Sequence, residues 1–195
     1  MPTISTVALP ISWPDFGFPA QVQTGPTCLV EEDDPAWAWT DGEPELGIRS
    51  CPTATGRPVP GWSTDHVVVL VPDVEEATAH LTAAGLRPRL RMSFRGRPTA
   101  FFRAGPVLEV IESPVRAPAI FGIALVTEES LETVALRWRS LGHEVTDPRP
   151  AIQPGRRIFT VYGLTAGLAV MSPDRSPPRS QRRGREDPPQ TPKMS

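Results

Sequence analysis

From Gly96 the chain reads GRPTAFFRAGPVLEVIESP, and from Gly155 it reads GRRIFTVYGLTAGLAVMSP. Both stretches begin with Gly-Arg, end with Ser-Pro and have the same length, giving an ungapped offset of 59 residues. Upstream, ATAHLTAAG from Ala77 and VALRWRSLG from Val134 match at an offset of 57. Self-similarity of this kind means one supersecondary unit used twice, and it restricts the fold more than any single motif.

Each copy has the same order of elements. Copy one opens with an apolar strand near His66–Val71, and a helix follows from about Asp73. Asp73 is its expected N-cap, Val74, Ala77, Leu81 and Ala84 share one face, and Gly85 stops it. Three short strands come next, near 87–92, 99–103 and 107–111, separated by the turns RGRP and AGP. Copy two predicts strands near 121–126, 144–146, 157–162 and 167–171, with a helix over 130–141 ended by Gly142. The expected class is α+β, built from two βαβββ modules, 64–114 and 118–173, around one cleft.

Composition sets the flanks. Ten of the 25 prolines lie in residues 1–63, which carry a net charge of −6 and Trp13, Trp37 and Trp39 but no sustained period of 2 or 3.6. This N-terminal arm is expected to be irregular or to add a strand or two. Residues 64–173 carry a net charge of +1 and residues 174–195 a net charge of +3. The tail has no aliphatic or aromatic residue except Met194 and is expected to be disordered. No strongly basic domain is present, so nucleic acid is not the expected partner. No apolar run approaches the roughly 20 residues that span a bilayer. Neither a membrane partner nor a secretory leader is expected, and Cys28 and Cys51, far apart and outside any CxxC pair, suit two reduced thiols. The expected setting is cytoplasmic.

The stretch DHVVVLVPDVEEATAHLTAAG, followed by AFFRAGPVLEVIE, resembles the vicinal oxygen chelate superfamily, which includes glyoxalase I, extradiol dioxygenases and bleomycin- and fosfomycin-resistance proteins. The resemblance covers about residues 64–173 and leaves out the arm and the tail. It implies paired βαβββ modules around a cleft that often holds a divalent metal, and it implies no single reaction. It also implies one ligand from the first strand of a module and another from the last; His66 and Glu109 stand at those positions of copy one.

Period-2 alternation puts His66, Val68 and Leu70 on one face of the first strand, and Val107, Glu109 and Ile111 on one face of the last. An imidazole and a carboxylate on adjacent strands suit a divalent metal. The same two residues are the candidates for catalysis and ligand binding. Copy two lacks them. Aligning Val126 with Val71 puts Phe121 in the place of His66, and the ungapped repeat puts Leu168 in the place of Glu109. Neither donates a lone pair, so the metal set is incomplete; Asp65, Glu112 and His143 are the nearby substitutes. No tightly bound cofactor is expected, and a divalent metal is the alternative. Three readings stay open: a hydrogen-bonded His66–Glu109 pair in a ligand cleft, two ligands of a catalytic metal, or two unconnected polar residues at strand ends.

Six arginines cluster between Arg87 and Arg103. They are either an anion-recognition wall, with Arg91 and Arg103 as candidate ligand contacts, or a solvated face neutralised by acidic residues Glu31 to Asp34. Among Phe101, Phe102, Phe159 and Tyr162, one alternating subset packs under the helices and the other lines the cleft; Phe102 and Tyr162 are the candidate ligand contacts. Trp138, matching Leu81, is expected in the core and His80 at a solvated rim. No GxSxG, HExxH or phosphate-binding loop occurs.

Two functions follow. One is a module that binds a small organic, anionic ligand in the cleft without a complete metal site. The other is a metal-dependent lyase, isomerase or dioxygenase using His66 and Glu109. A weaker third is an interaction protein using the arm and tail. A homodimer is an expected assembly, since open sheets leave edges to cover.

Overall fold

In the computed structural model, residues 1–174 are described; the tail from Arg175 onward, where disorder is expected, lies outside them. The chain begins with β1 (Thr3–Leu9), a short 3-10 turn (Trp13–Phe16), β2 (Val22–Thr24), β3 (Thr27–Glu31), β4 (Ala36–Thr40) and β5 (Arg57–Pro58). Module one consists of β6 (Trp62–Val71), α1 (Val74–Ala83), β7 (Pro88–Phe94), β8 (Arg97–Arg103) and β9 (Val107–Glu112). Module two consists of β10 (Ala119–Thr127), α2 (Leu131–Ser140), β11 (Arg149–Pro150), β12 (Arg157–Val161) and β13 (Gly167–Met171). Two βαβββ modules are present, as the repeat requires.

The modules share one eight-stranded sheet in the order β11-β12-β13-β10-β6-β9-β8-β7. Their first strands, β6 and β10, join antiparallel at the centre, and each pairs parallel with the last strand of its own module. Val67, Val69, Leu108, Val110, Phe102 and Ala100 point to the side covered by the helices, where Val74, Ala77 and Leu81 of α1 pack. Asp73 caps α1 as expected, accepting from the N–H groups of Glu75 and Glu76 at 2.7 and 3.0 Å, and Gly85 ends it at φ +89°. Trp138 of α2 is fully buried and His80 is exposed, as expected. The strand expected at 144–146 reduces to one bridge, Val145 to Val161, and β11 forms at Arg149–Pro150 instead.

The arm departs most from the sequence reading. It is not irregular: it folds into a five-stranded sheet in the order β4-β1-β3-β2-β5, with β1 between β4 and β3 and parallel to β3. Six of the seven residues of β1 are buried, so this strand lies between two packed layers and shows no in–out alternation. Ile4, Val7 and Leu9 belong to the same core as the helix-covered side of the large sheet, while Ala8, Cys28, Val30 and Ala36 form a smaller cluster on the other face. Hydrogen bonds join the two sheets. The Ile4 N–H donates to the Ala104 carbonyl at 2.9 Å, and the hydroxyls of Thr24 and Thr64 meet at 2.6 Å. The arm therefore packs on the helix side, and the opposite face of the eight-stranded sheet is left as the open one.

Candidate functional site

β6 starts at Trp62, so His66 stands in mid-strand rather than at its head. The register with β10 runs His66↔Ala124 and then Thr64↔Leu125, which leaves Asp65 without a partner. This is a β-bulge, and a bulge re-aims the side chains around the extra residue. It brings two sequence neighbours, which would point apart in a regular strand, onto one side. The Nδ1 of His66 lies 2.6 Å from an Asp65 carboxylate oxygen. Arg156, from the turn before β12, donates to both oxygens of Asp65 at 3.0 and 3.1 Å, and its Nε donates to the Ser172 carbonyl at 2.9 Å. His66 and Arg156 are buried, at 7 % and 9 % exposure.

The trio links the two modules, and the repeat shows how it was assembled. Arg97, the Gly-Arg arginine of module one, donates to the Ser113 hydroxyl at 3.0 Å, as Arg156 bonds the backbone of Ser172. Tying the turn to the closing serine is thus common to both copies. Only Arg156 also meets a carboxylate across the module boundary. Two acceptors on Asp65 for the guanidinium fork make this a bidentate, charge-assisted contact. Burial alone would raise the Asp65 pKa, but the hydrogen bonds and charges of His66 and Arg156 outweigh it and hold the carboxylate below its usual value. With an ionised acceptor beside it, Nδ1 carries a proton, so Nε2 is the free nitrogen of the neutral ring.

Glu109 pairs with Val68 on one side and Phe101 on the other. Its face is therefore that of Val68 and of His66, which pairs with Val107. The imidazole lies edge-on to the Phe101 ring, with centroids 6.4 Å apart. The hydrogen-bond partner of His66 is Asp65, not Glu109; charge links Glu109 to His66 only when the ring is protonated. Burial pushes the Glu109 carboxyl up, and the nearby imidazole offsets part of that. Around these groups the open face is apolar and half-exposed: Val68, Leu70, Phe101, Val107 and Ile111, with Leu90 and Met92 at 54 % and 39 % exposure towards the β7 edge.

Two expected ligand contacts lie elsewhere, each for a reason of parity. Phe102 is 1 % exposed and pairs with Leu108, so it is a core residue; Phe101 is the ring on the open face. Arg91 pairs with Ala100 on the helix side, where it grips Glu75 of α1 at 2.6 and 2.7 Å. Arg103 does share the His66 row, through Val107. Tyr162, half-exposed, follows the last residue of β12. Of the three substitute donors, only Asp65 joins the site. Glu112 accepts the Val74 N–H at 3.3 Å, and His143 stacks on Phe16 at 3.8 Å.

Module two has a bulge of its own. The pairs Ile120↔Val69 and Gly122↔Val68 leave Phe121 as the extra residue. It lies 56 positions after Asp65 and matches it, so His66 corresponds to Gly122 and not to Phe121. Gly122 pairs with Gly167, and a Cβ on Gly122 would come within 2.0 Å of the Gly167 carbonyl oxygen. No side chain fits there. Likewise Ala124↔Ala169 matches Val68↔Glu109, so Ala169 is the counterpart of Glu109. Leu168, 1 % exposed, faces the helices. The counterparts differ from the expected ones and are equally unable to donate.

A divalent metal is not fitted by these donors. His66 and Glu109 supply two, the oxygens of Asp65 already accept from Arg156 and His66, and among the described residues no three His, Cys, Asp or Glu side chains form a metal group. Protonation is the chemistry this cluster offers. Glu109 has a folded pKa raised above its unfolded value, so the native state holds its proton more tightly. Its contribution to stability is then full below the unfolded value, near 4.3, and is lost as pH rises through the folded one. Glu109→Gln is expected to be more stable than the wild type at pH 7, with the gap closing as pH falls toward about 4. Thermal melts across that interval check it; a gap that does not change with pH rules it out.

No family model matches the chain, and no curated protein matches it. Solved structures do. A hypothetical protein from Bacillus halodurans C-125 is 16 % identical, with 60 % of this chain and 99 % of that chain covered at a TM-score of 0.51. Methylmalonyl-CoA epimerase from Mycobacterium tuberculosis is 16 % identical, with 61 % and 91 % covered at a TM-score of 0.48. A Streptomyces coelicolor methylmalonyl-CoA epimerase in complex with 2-nitronate-propionyl-CoA is also 16 % identical, with 56 % and 95 % covered at 0.46. The likeness is one of fold. The chain has the paired βαβββ fold of the vicinal oxygen chelate, or glyoxalase-like, superfamily.

Proposed function

We propose that this protein binds a small organic ligand on the open face of the eight-stranded sheet, at the junction of the two modules, without a bound metal. The observation that carries this is the bonded set Arg156–Asp65–His66 beside Glu109 in an otherwise apolar, half-exposed face. Ligand sites combine an apolar lining with a few fixed polar groups. Here Phe101, Val68 and Ile111 offer the lining. His66 Nε2 and the Glu109 carboxyl offer the fixed polar groups. A ligand with a hydroxyl or carbonyl next to a flat apolar body matches both.

Ligand-detected NMR with a panel of small phenols and carboxylic acids tests the reading. Hits are expected to bind His66→Ala and Glu109→Ala at least tenfold more weakly, each variant being checked for an unchanged fold. Hits whose affinity is the same in both variants would refute it. The metal-dependent alternative rests on His66 and Glu109 sharing a face. Titration with Mn2+ or Zn2+ that gives one tight site, abolished in His66→Ala, would replace the binding reading with that one. The free edges β7 and β11 suit a homodimer, and two free cysteines suit a reducing, cytoplasmic setting. None of the described helices is long and apolar enough to cross a membrane.

A further inference from the structure

The six arginines between Arg87 and Arg103 do not behave as one wall. Arg91 is held by Glu75, Arg97 by Ser113, and Arg95 lies over the Phe94 ring at 5.3 Å. Arg87, Arg89 and Arg103 remain. Among the described residues none of the three has an ion pair or hydrogen-bonded side-chain partner. Of the acidic stretch expected to neutralise them, the Glu32 carboxylate is taken by Arg49, which also donates to the Asp34 carbonyl, and among the described residues no ion pair joins the stretch to any of the three.

These three arginines line one cavity of about 350 Å3, completed by Met1, Gly85 and Pro88. Its lining contains no carboxylate. Three arginines lining one hollow concentrate positive charge there, and a guanidinium is a planar fork of donors suited to the oxygens of a phosphate. The volume is at the lower end of the range for organic ligands, about 300–1,000 Å3, which leaves room for more than a bare ion. Position ties the cavity to the site above. Arg103, Val107 and His66 lie side by side on β8, β9 and β6 and share a face. Two interstrand steps of about 4.8 Å put the Arg103 backbone about 10 Å from that of His66.

We propose that Arg87, Arg89 and Arg103 form an anion subsite for a phosphate or pyrophosphate group on the ligand. The ligand's organic part would lie across Val107 and Phe101 with its polar end at His66 and Glu109. Only that second statement rests on the open-face reading; the subsite itself stands on the cavity and its unpartnered charges. It narrows the ligand class to phosphorylated small molecules.

Calorimetric titration of the whole chain with inorganic pyrophosphate, at low ionic strength, tests the subsite without the unknown organic part. One saturable site per chain is expected. Arg89→Gln/Arg103→Gln is expected to weaken it at least tenfold, and Arg116→Gln, an exposed arginine outside the cavity, to leave it unchanged. His66→Ala is also expected to leave it unchanged, so a failure of the open-face reading stays distinct from a failure of this one. The absence of saturable binding, or an equal loss in Arg116→Gln, would overturn the subsite, because net charge alone would then account for the attraction.

Discussion

Arg156→Met is expected to destabilise the protein by about 2–4 kcal/mol, out of proportion to the loss of one turn residue. Removing one partner of a buried ion pair leaves the other charge uncompensated, which costs about 3–5 kcal/mol when burial is complete. Asp65 keeps 19 % of its side chain exposed, so the expected cost lies about 1 kcal/mol below that range. The His66 Nδ1–H remains as its one charge-assisted donor. Urea denaturation at pH 7 gives the measurement: the midpoint should fall while the slope stays constant, since the surface exposed on unfolding is unchanged. Asp65→Asn/Arg156→Met removes both charges and should recover at least half of the loss. A single variant costing under about 1 kcal/mol would mean that the contact behaves as an ordinary surface pair, and the electrostatic account of the site would fail with it. The pH dependence has a definite sign. The folded pKa of Asp65 is depressed, so its contribution is present above the unfolded value, about 3.9. It disappears as pH falls through the folded one, the reverse of Glu109 on the adjacent strand of the same site.

Much of this site follows from the sequence once faces are known, and faces are what the sequence conceals. The repeat, both helices, the N-cap at Asp73 and the sharing of one face by His66 and Glu109 are all consequences of local pattern. The errors are one residue wide. In a strand, one residue exchanges the two faces. Phe101 and Phe102 are adjacent and chemically identical, yet one lies on the open face and the other is in the core. The bulges at Asp65 and Phe121 have no composition signature, and they decide that Asp65 can bond His66 and that Gly122 is the counterpart of His66. The ungapped 59-residue repeat hides compensating shifts: three residues separate β8 from β9 and five separate β12 from β13, so Glu109 matches Ala169 and not Leu168. Arg156 was legible only as a turn residue, because its carboxylate partner lies 91 positions away. The arm was illegible for another reason. Its strands are short, and the longest, β1, is covered on both sides, so the alternation that marks a half-buried strand is missing.

Trp138→Ala is expected to cost about 3–5 kcal/mol, the range for truncating a large aromatic in a core, and to affect the arm and module two together. The indole is fully buried and contacts rings from both: Phe16 at 4.8 Å and Phe18 at 6.2 Å from the arm, Phe159 at 5.5 Å from β12 and Trp62 at 6.0 Å from β6. We take the divisions 1–63 and 64–173 as topological ones, and this cluster gives the physical reason to expect them to unfold as one unit. Apolar area shared between them cannot be exposed on one side only. In the wild type, near-ultraviolet dichroism, dominated by five tryptophans, and far-ultraviolet dichroism should therefore report the same melting temperature. Trp138→Ala should lower both by the same amount. Two separated transitions, or a variant in which module two melts early while the arm retains its signal, would show that the five-stranded sheet is a separate domain. If the transitions coincide, the arm is the layer that closes the helix side of the large sheet. The open face carrying His66 and Glu109 is then held in shape from behind by a segment outside the repeat.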